Sequence, residues 1–468
     1  MRYALPAFLP DQLPRGDVLT VCKNVLPARD GYRAVGGFQE ISDALPDTFK
    51  GGGSFISTGG TASLLAGTAS TLSRLSSGSW VNLLTGLSIG GRWKFAQFGD
   101  AVVCVNGSTT QSVNLVAATA SALVGAPTAV DVTVVGDYVV VAQPNGDLLK
   151  VRWSAFNDHT AWTLGVDQAG EQPMLTGGEV MGVAGGEYGV ILQRQRIVRM
   201  SRTGDATAPF QFDEISTNFG CASKGSIVQA GRTVFFLSDR GFVALDDGQS
   251  IRPIGNEKFD ASFREALGED AFERIYAAVD PRNTRVVWAI PGLTGQAWVY
   301  DWVQDRASVL ELPFDGVFSG FENSTDLDSL TATYPDLDAM PYTLDDPRWS
   351  GGAPRFYVVQ DGKVGTLTGG NLQASFKAGD LAPAGNDNMR IWAVVPETDA
   401  IAGVTVSLRE KQRRGDGGRV RTASNMQSSG RIPLRANGRF FETTITINNP
   451  DWTYIEALTF EGNRGGVR

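Results

Sequence analysis

The sequence predicts an all-β protein built around a β-propeller, and two observations carry this prediction. Its 468 residues include 56 Gly and 21 Pro but only 19% charged residues, a composition typical of many short strands joined by turns. In addition, a turn followed by a short apolar strand recurs seven times, at 60–66, 99–105, 136–142, 186–192, 231–237, 283–289 and 352–358. The stretches begin 39, 37, 50, 45, 52 and 69 residues apart. A hairpin that recurs at about 40–50 residues is typical of propeller blades.

Seven hairpins predict about seven blades, and six or eight stay possible if one hairpin at either end is misassigned. We expect the propeller to occupy residues 46–370. The dipeptides Asn145-Gly146 and Asp361-Gly362 lie between apolar runs and favour tight hairpin turns.

Residues 1–45 are expected to form an extended N-terminal arm. Pro6, Pro10 and Pro14 oppose any helix there. The segment 22–25 is predicted to add a strand, and pairing of such a strand with the last blade is one way for a propeller to close.

Two insertions are predicted within the propeller. Residues 257–279 show a one-sided apolar pattern that indicates a single inserted helix, with Asp260 as its cap. Residues 323–346 contain six Asp and no Lys or Arg, which predicts an acidic loop and accounts for the longest interval between hairpins.

A separate C-terminal domain is predicted for residues 371–468. Apolar runs at 389–395, 404–408, 440–448 and 454–461 indicate the strands of a β-sandwich-like fold. Between them, residues 409–439 carry nine Lys or Arg against two acidic residues.

The cysteines, the apolar runs and the net charge limit the classes of protein to which this chain can belong. Three distant Cys without a CxxC spacing disfavour a disulfide framework or a zinc site. We find no apolar run of about 18 residues and no signal-peptide pattern, so we expect a soluble protein made in a cytoplasm, with no membrane span. A net charge of −9 argues against a general nucleic-acid binder, although it is compatible with a wall along which DNA slides.

Catalytic patterns are weak throughout the sequence. His159 is the only histidine, so neither a Ser-His-Asp nor a Cys-His arrangement is indicated, and a structural role is the expectation for this residue. The run Gly51-Gly52-Gly53 is not followed by the Lys and Ser or Thr of a phosphate-binding loop, and repeated Asp-box turns are missing. We therefore expect no enzyme and no cofactor.

The acidic loop offers weak candidates for metal binding. Asp326 with Asp328 and Asp336 with Asp338 are pairs of carboxylates two residues apart, which can chelate calcium. The Gly and the closing Glu of an EF-hand are missing, so a solvated loop is the default interpretation. A glycosidase would also need two converging carboxylates, and this loop is where they would come from.

The basic segment 409–439 is a candidate interface for an acidic partner or for DNA. The alternative interpretation is a solvated hairpin face. The candidate interface residues are Arg409, Lys411, Arg413, Arg414, Arg419 and Arg421.

Several segments resemble the tail hub, or nozzle, proteins of short-tailed (podovirus-like) bacteriophages, also called packaged-DNA stabilisation proteins. They follow one another over nearly the whole chain, and none is a chemical motif by itself. The segments are Cys22-Lys23-Asn24-Val25-Leu26-Pro27, Asp30-Gly31-Tyr32-Arg33, Leu64-Leu65-Ala66-Gly67-Thr68, Leu72-Ser73-Arg74-Leu75, the block from Val151-Arg152-Trp153-Ser154 to Trp162-Thr163, Leu344-Asp345-Asp346-Pro347-Arg348-Trp349 with Gly351-Gly352, and Asp451-Trp452-Thr453-Tyr454-Ile455.

The resemblance implies a virion structural protein of the viral tail. Such a propeller assembles as a homohexameric ring below the portal and adaptor rings, narrows the DNA channel, retains the packaged genome and lets it pass on ejection. The implied partners are further copies of the chain, the adaptor, tail fibres or spikes, and double-stranded DNA that passes without sequence-specific contact. The family implies no catalytic residues.

Two other functions are kept as alternatives. The first is a non-catalytic propeller that binds a glycan or a solute in its axial pocket or on its loops. The second, ranked below it, is a propeller glycosidase that uses the carboxylates near 323–346. For the ring, the acidic loop 323–346 and the basic segment 409–439 are predicted to pair between neighbouring copies.

Overall fold

The computed structural model describes residues 1–16, 18–268, 272–292, 295–322, 352–385 and 387–465. Five strands come first along the chain: β1 (Arg2–Ala4), β2 (Leu19–Lys23), β3 (Val25–Ala28), β4 (Gly31–Ala34) and β5 (Gln39–Ala44). Among all the described residues, no helix has the length and the apolar character needed to cross a membrane.

Five antiparallel four-stranded sheets follow, each ordered as its strands occur in the sequence. Sheet 1 contains β6 (Phe49–Ile56), β7 (Ala62–Thr68), β8 (Leu72–Ser76) and β9 (Ser79–Leu84). Sheet 2 contains β10 (Lys94–Phe98), β11 (Ala101–Val105), β12 (Thr110–Asn114) and β13 (Thr119–Ala122). Sheet 3 contains β14 (Asp131–Val135), β15 (Tyr138–Ala142), β16 (Lys150–Trp153) and β17 (Gly170–Pro173). Sheet 4 contains β18 (Val180–Ala184), β19 (Gly189–Gln193), β20 (Ile197–Arg202) and β21 (Phe210–Ser216). Sheet 5 contains β22 (Val228–Ala230), β23 (Thr233–Ser238), β24 (Gly241–Asp246) and β25 (Ser250–Pro253).

The same pattern continues after the helix α1 (Asp260–Leu267). Sheet 6 contains β26 (Tyr276–Asp280), β27 (Arg285–Ile290), β28 (Gln296–Asp301) and β29 (Arg306–Glu311), and it is the first part of a nine-stranded sheet. Sheet 7 contains β30 (Gly316–Phe321), β31 (Pro354–Gln360) and β32 (Lys363–Thr366), and the N-terminal β5 supplies its fourth strand. Short 3₁₀ turns lie at Pro144–Gly146, Lys224–Ser226 and Phe272–Arg274.

Successive sheets pack side by side into a closed array, through their first strands at most junctions and through a shared apolar cluster between sheets 4 and 5. β6, β10, β14 and β18 contact one another in order, as do β22, β26 and β30, and β30 also packs against β6. Six clusters of buried apolar residues lie between neighbouring sheets, including one between sheets 7 and 1. A further cluster joins sheets 5 and 6 to α1 and to the C-terminal strands. The described chain therefore has an all-β, propeller-like architecture.

The second strand of each sheet carries the repeat that is visible in the sequence. The seven predicted stretches coincide with β7, β11, β15, β19, β23, β27 and β31, which confirms where these strands lie. In β15, Val139 and Val141 pack toward sheet 2, whereas Tyr138, Val140 and Ala142 pack toward sheet 4. Successive side chains of a strand point to opposite faces, so a strand buried on both faces is apolar throughout.

Glycine is favoured at the turns that lead into several of these strands. Gly99, Gly136 and Gly231 have φ of 59°, 58° and 60°, in the left-handed region that L side chains rarely adopt. These are the residues at which three of the repeated stretches begin.

Two glutamines tie neighbouring sheets together in the same way. The side-chain amide of Gln97 donates to the carbonyl of Ile56 on sheet 1 at 2.5 Å, and the amide of Gln229 donates to Gly185 beside sheet 4 at 2.7 Å. Each amide also donates, at 2.9 Å, to the carbonyl of the turn glycine two residues later. The repeat therefore includes polar contacts between sheets as well as apolar ones.

The C-terminal strands are β33 (Ala374–Leu381), β34 (Met389–Thr398), β35 (Val404–Lys411), β36 (Arg419–Ala423), β37 (Ile432–Gly438), β38 (Phe440–Ile447) and β39 (Tyr454–Arg464). One sheet has the order β3-β4-β39-β34-β37, with β1 beside β39. The other continues sheet 6 in the order β29-β2-β33-β38-β35-β36. Buried side chains of both sheets, such as Ile391 and Ile432 on one and Val406 and Ile445 on the other, belong to one core.

The predicted N-terminal arm over 1–45 is wrong for most of its length. β1, β3 and β4 belong to a C-terminal sheet, and β2 lies between β29 and β33. The predicted strand at 22–25 is broken at Asn24, whose φ of 57° interrupts the extended backbone. The strand of residues 1–45 that pairs with the last sheet is β5 rather than the segment 22–25.

The predicted helix over 257–279 is also wrong in extent, because α1 ends at Leu267. Gly268, with φ 79°, follows the helix, and its backbone N–H bonds to the carbonyl of Arg264. Tyr276–Asp280 instead forms β26 and pairs along its length with β27. The ladder with β27 overrides the local helical pattern, since tertiary pairing outweighs intrinsic propensity.

Asp260 is not the cap of α1. Its carboxylate accepts a hydrogen bond from the backbone N–H of Phe242 at 3.0 Å. The cap comes from Asp11, whose carboxylate accepts from the backbone N–H groups of Ala261 at 2.7 Å and Ser262 at 2.9 Å. A carboxylate at this end satisfies free N–H groups and favours the helix dipole.

Candidate functional site

The candidate site is a cavity of about 480 Å³ that we call the mouth cavity. It is lined by residues that precede or begin the first strands of sheets 2 to 6, at 90–92, 94, 130, 179, 181, 222–225 and 272–273, together with Arg194 from the turn between β19 and β20. Cavities of this size commonly hold small ligands.

Arg92 spans the mouth of the array from sheet 2 to sheet 6. Its guanidinium donates to the backbone carbonyls of Glu273 and Ile275, and it lies 3.8 Å above the centre of the Tyr276 ring. Burial lowers the pKa of Arg92, and the neighbouring Tyr276 and Glu273 act in the opposite direction. A Cβ at Gly225 would collide with the Arg92 guanidinium and with the Ile275 carbonyl, so glycine is needed there.

A second cavity of about 250 Å³ lies on the other side of Arg92. Its walls come from the first strands of sheets 1, 2, 6 and 7, and they include Lys50, Tyr276 and Phe318. Arg92, Lys94 and the backbone at 225 line both cavities. The Arg92 side chain therefore divides the space at the centre of the array.

Cations outnumber carboxylates in the mouth cavity. Arg92, Lys94, Arg194 and Lys224 line it together with two glutamates. The Lys224 ammonium lies 3.5 Å from the carboxylate of Glu179. Within the described ranges, the Lys94 ammonium has neither a hydrogen bond nor an ion pair.

A buried carboxylate lies close to these cations. Asp131 is 6% exposed, and its two oxygens accept from the backbone N–H groups of Val132 and Val183, each at 3.0 Å. Burial raises the pKa of Asp131, while the charges of Lys94 and Lys224 act to lower it. Each oxygen of this carboxylate therefore has one backbone donor, and the nearby ammonium groups add favourable charge interactions.

His159 lies between sheets 2 and 3, apart from the mouth cavity. Its Nε2 is 3.4 Å from the hydroxyl of Ser112, and its ring packs against Phe98. The indole N–H of Trp162 donates to the His159 carbonyl at 2.8 Å. Burial lowers the pKa of His159, and the charge of Asp158 partly opposes this shift.

The basic segment divides into buried and exposed cations. Lys411 is only 9% exposed, and its ammonium lies 2.9 Å from both Asp380 and Glu442, so it is not the surface cation that the sequence suggested. Arg409 lies 3.5 Å from Glu442, and Arg421 lies 3.5 Å from Glu410. These three cations are held by carboxylates of their own chain.

The remaining candidates of this segment are exposed. Arg414 lies 5.1 Å from the centre of the Phe440 ring. Arg413 and Arg419 are exposed, and the three guanidinium groups make no ion pair with any residue whose position the structure gives. The turn between β35 and β36 and the start of β36 thus present three cations to solvent.

The predicted calcium candidates Asp326, Asp328, Asp336 and Asp338 lie outside the described residues. Across the described part of the chain, no group of three or more His, Cys, Asp and Glu side chains is arranged to hold a metal ion.

Sequence reasoning did not single out Arg92, Lys94, Asp131 or Lys224. Arg92 precedes and Lys94 begins sheet 2, Asp131 begins sheet 3 and Lys224 precedes sheet 5, so only the packing of the sheets into one array brings them together. A usable signal exists, because a charged residue stands at or just before the first strand of several sheets: Lys50, Lys94, Asp131, Glu179 and Lys224.

The chain matches no protein-family model and no curated protein. Solved structures with a similar backbone include the extracellular domain of BT4673, a one-component system of B. thetaiotaomicron, at 10% identity and a TM-score of 0.43. That match covers 82% of this chain and 47% of the other, so the chain spans about half the length of that domain. The WD40 repeats of RRP9 match at 8% identity and a TM-score of 0.40, over 61% of this chain and 88% of the other. AztD from Citrobacter koseri matches at 12% identity and a TM-score of 0.31, over 60% and 94%. Similarity at these values carries no argument about function.

Proposed function

We propose that this chain is a virion structural protein, the tail hub or nozzle subunit of a short-tailed phage. The observation that carries the proposal is the ordered series of segments, spread over nearly the whole sequence, that resembles this family. In this proposal, sheets 1 to 7 are the seven blades of one propeller. The strands after residue 371 form a C-terminal β-sandwich-like domain together with β1, β2, β3 and β4.

The connection between the proposed propeller and the C-terminal domain, the two halves of the chain, suits a subunit that bears load. β2 pairs with β33 on one side through four residue pairs and with β29 on the other side through the single parallel pair Lys23 and Val309, so one sheet runs through both halves. Beside it, the Ser308 hydroxyl donates to the carbonyl of Val25 at 2.6 Å, and the Glu311 N–H donates to the Asn24 side chain at 2.7 Å. A continuous sheet and a shared core resist bending between the halves, as a ring that retains pressurised DNA requires.

The exposed cations of the basic segment supply a candidate contact between subunits. Arg413, Arg414 and Arg419 are free to meet an acidic surface, and the proposed partner is the acidic segment 323–346 of the neighbouring copy. A contact between two different surfaces of the same chain closes into a ring when the rotation fits, and the proposed ring has about six copies. The net charge of −9 would let DNA pass through the lumen without being held.

Charge reversal tests this contact. In Arg413→Glu with Arg414→Glu, like charges would face the acidic segment, so we expect particles that lack the subunit. Arg29→Glu with Arg390→Glu is the matched control, because it makes the same change in charge at exposed arginines that have no ion pair among the described residues. Subunit copies per particle are measured by quantitative mass spectrometry. Equal incorporation of both variants would overturn the proposed contact.

A further inference from the structure

We propose that the mouth cavity binds a small anionic solute through a phosphate or carboxylate group. This site goes beyond ring assembly and lies in a different part of the chain. Sheets 2 to 6 form the cavity, whereas the proposed subunit contact lies at 413–419.

Lys94 is the central residue of this site. It begins β10, is only partly exposed, and lines both the mouth cavity and the second cavity. A partly desolvated ammonium without a partner is unfavourable, and an anion within hydrogen-bonding distance removes that cost. The charges of Asp131 and Lys94 attract each other, but no ion pair within 4.0 Å joins the two groups, so the N–H donors of the ammonium remain free for an anion.

Two further cations are positioned by an ion pair and keep donors free. Lys224 is held by Glu179 at 3.5 Å, and Arg194 is held by Asp239 at 3.0 Å. An ammonium has three N–H donors and a guanidinium has five, so one carboxylate does not saturate either group. Lys94, Lys224 and Arg194 all line the cavity, so their free donors are available to an anionic group there.

The rest of the cavity indicates the size of the ligand. Val130, Met181 and Phe272 add apolar wall, and the volume of about 480 Å³ exceeds what a bare phosphate or carboxylate fills. The site fits an anionic group that is carried on a body of about the size of one sugar ring.

Calorimetric titration at low ionic strength tests the proposal with four probes: inorganic phosphate, a hexose phosphate, a hexuronate and the neutral hexose. We expect the hexose phosphate or the hexuronate to bind more tightly than the neutral hexose. The tighter of the two identifies phosphate or carboxylate as the group recognised. If the neutral hexose binds as well as both anions, or if neither anion binds, the proposal is overturned.

Variants place the binding at the mouth cavity. Lys94→Gln removes the unpaired charge and should weaken anion binding about tenfold or more, since a hydrogen bond to a charged group is lost. Lys224→Gln should weaken it as well, and it serves as the second variant if Lys94→Gln folds poorly. Lys363→Gln is the control, because this lysine lies on sheet 7 and pairs with Glu40 at 2.6 Å. Unchanged affinity in both cavity variants would overturn the site.

Discussion

Replacing Arg92 by Met should destabilise the protein, because the guanidinium joins sheet 2 to the segment before sheet 6. The substitution removes two hydrogen bonds to the carbonyls of Glu273 and Ile275 and the contact with the Tyr276 ring. Met keeps most of the apolar length of the side chain, so the loss is chiefly polar.

The magnitude follows from these contacts. A hydrogen bond from a charged donor contributes about 1.5–3 kcal/mol, and a desolvated cation–π contact contributes about 2 kcal/mol. Part of this is offset, since the substitution also removes the cost of burying a guanidinium, the same cost that lowers the pKa of Arg92. We expect a net loss of about 2–4 kcal/mol in the free energy of unfolding.

Equilibrium unfolding in urea measures this loss. An unchanged m-value would show that unfolding exposes the same surface area in the variant as in the wild type. Arg29→Met is the control, because Arg29 is exposed and has no partner among the described residues, and it should change the free energy by less than about 0.5 kcal/mol. If Arg92→Met is as mild as the control, the guanidinium does not hold the sheets together and the reasoning is refuted.

Two further predictions concern single side chains. Burial raises the pKa of Asp260 to about 6, so the folded state holds this proton more tightly than the unfolded chain does, and its contribution to stability declines as the pH rises from about 4 to about 6. We therefore compare the free energy of unfolding of the wild type with that of Asp260→Asn. The difference, wild type minus variant, should fall by about 1–2 kcal/mol between pH 4 and pH 7, a value reduced for partial solvent exposure. A difference that does not change with pH would contradict the raised pKa of Asp260. The backbone N–H of Val364 donates to the Ser42 hydroxyl at 3.0 Å, where β5 completes sheet 7. Ser42→Ala should therefore lower the free energy of unfolding by about 1–3 kcal/mol and speed hydrogen exchange at the Val364 amide. Unchanged exchange at this amide would contradict closure through β5.

The repeated second strands could be predicted because their signal is local. A strand such as β15 is buried on both faces, so five consecutive apolar residues mark it in the sequence. Turn glycines such as Gly136 add a backbone requirement at a fixed offset. Both signals lie within about ten residues of each other.

The N-terminal strands could not be placed in this way. β5 pairs with β32 through partners such as Ala44 and Lys363, which are more than 300 residues apart in the chain. A strand that pairs at such a distance carries no local mark of its partner, so the sequence analysis predicted an arm with one strand and placed that strand at 22–25 instead of at β5. The helix was overestimated for a related reason, because pairing with β27 decides the state of Tyr276–Asp280.

The mouth cavity is an extreme case of the same limit. Arg92 and the carbonyl of Glu273 that it binds are 181 residues apart, and neither belongs to a recognisable sequence motif. Residue types around the cavity are ordinary ones, and only their meeting at the centre of the closed array gives them a shared role.

The most direct test of the proposed tail hub is the composition of purified phage particles. Quantitative mass spectrometry measures whether this chain is present and at what ratio to the capsid protein. The proposal predicts about six copies per particle, as one closed ring would give. Absence of the chain from the particles would contradict it.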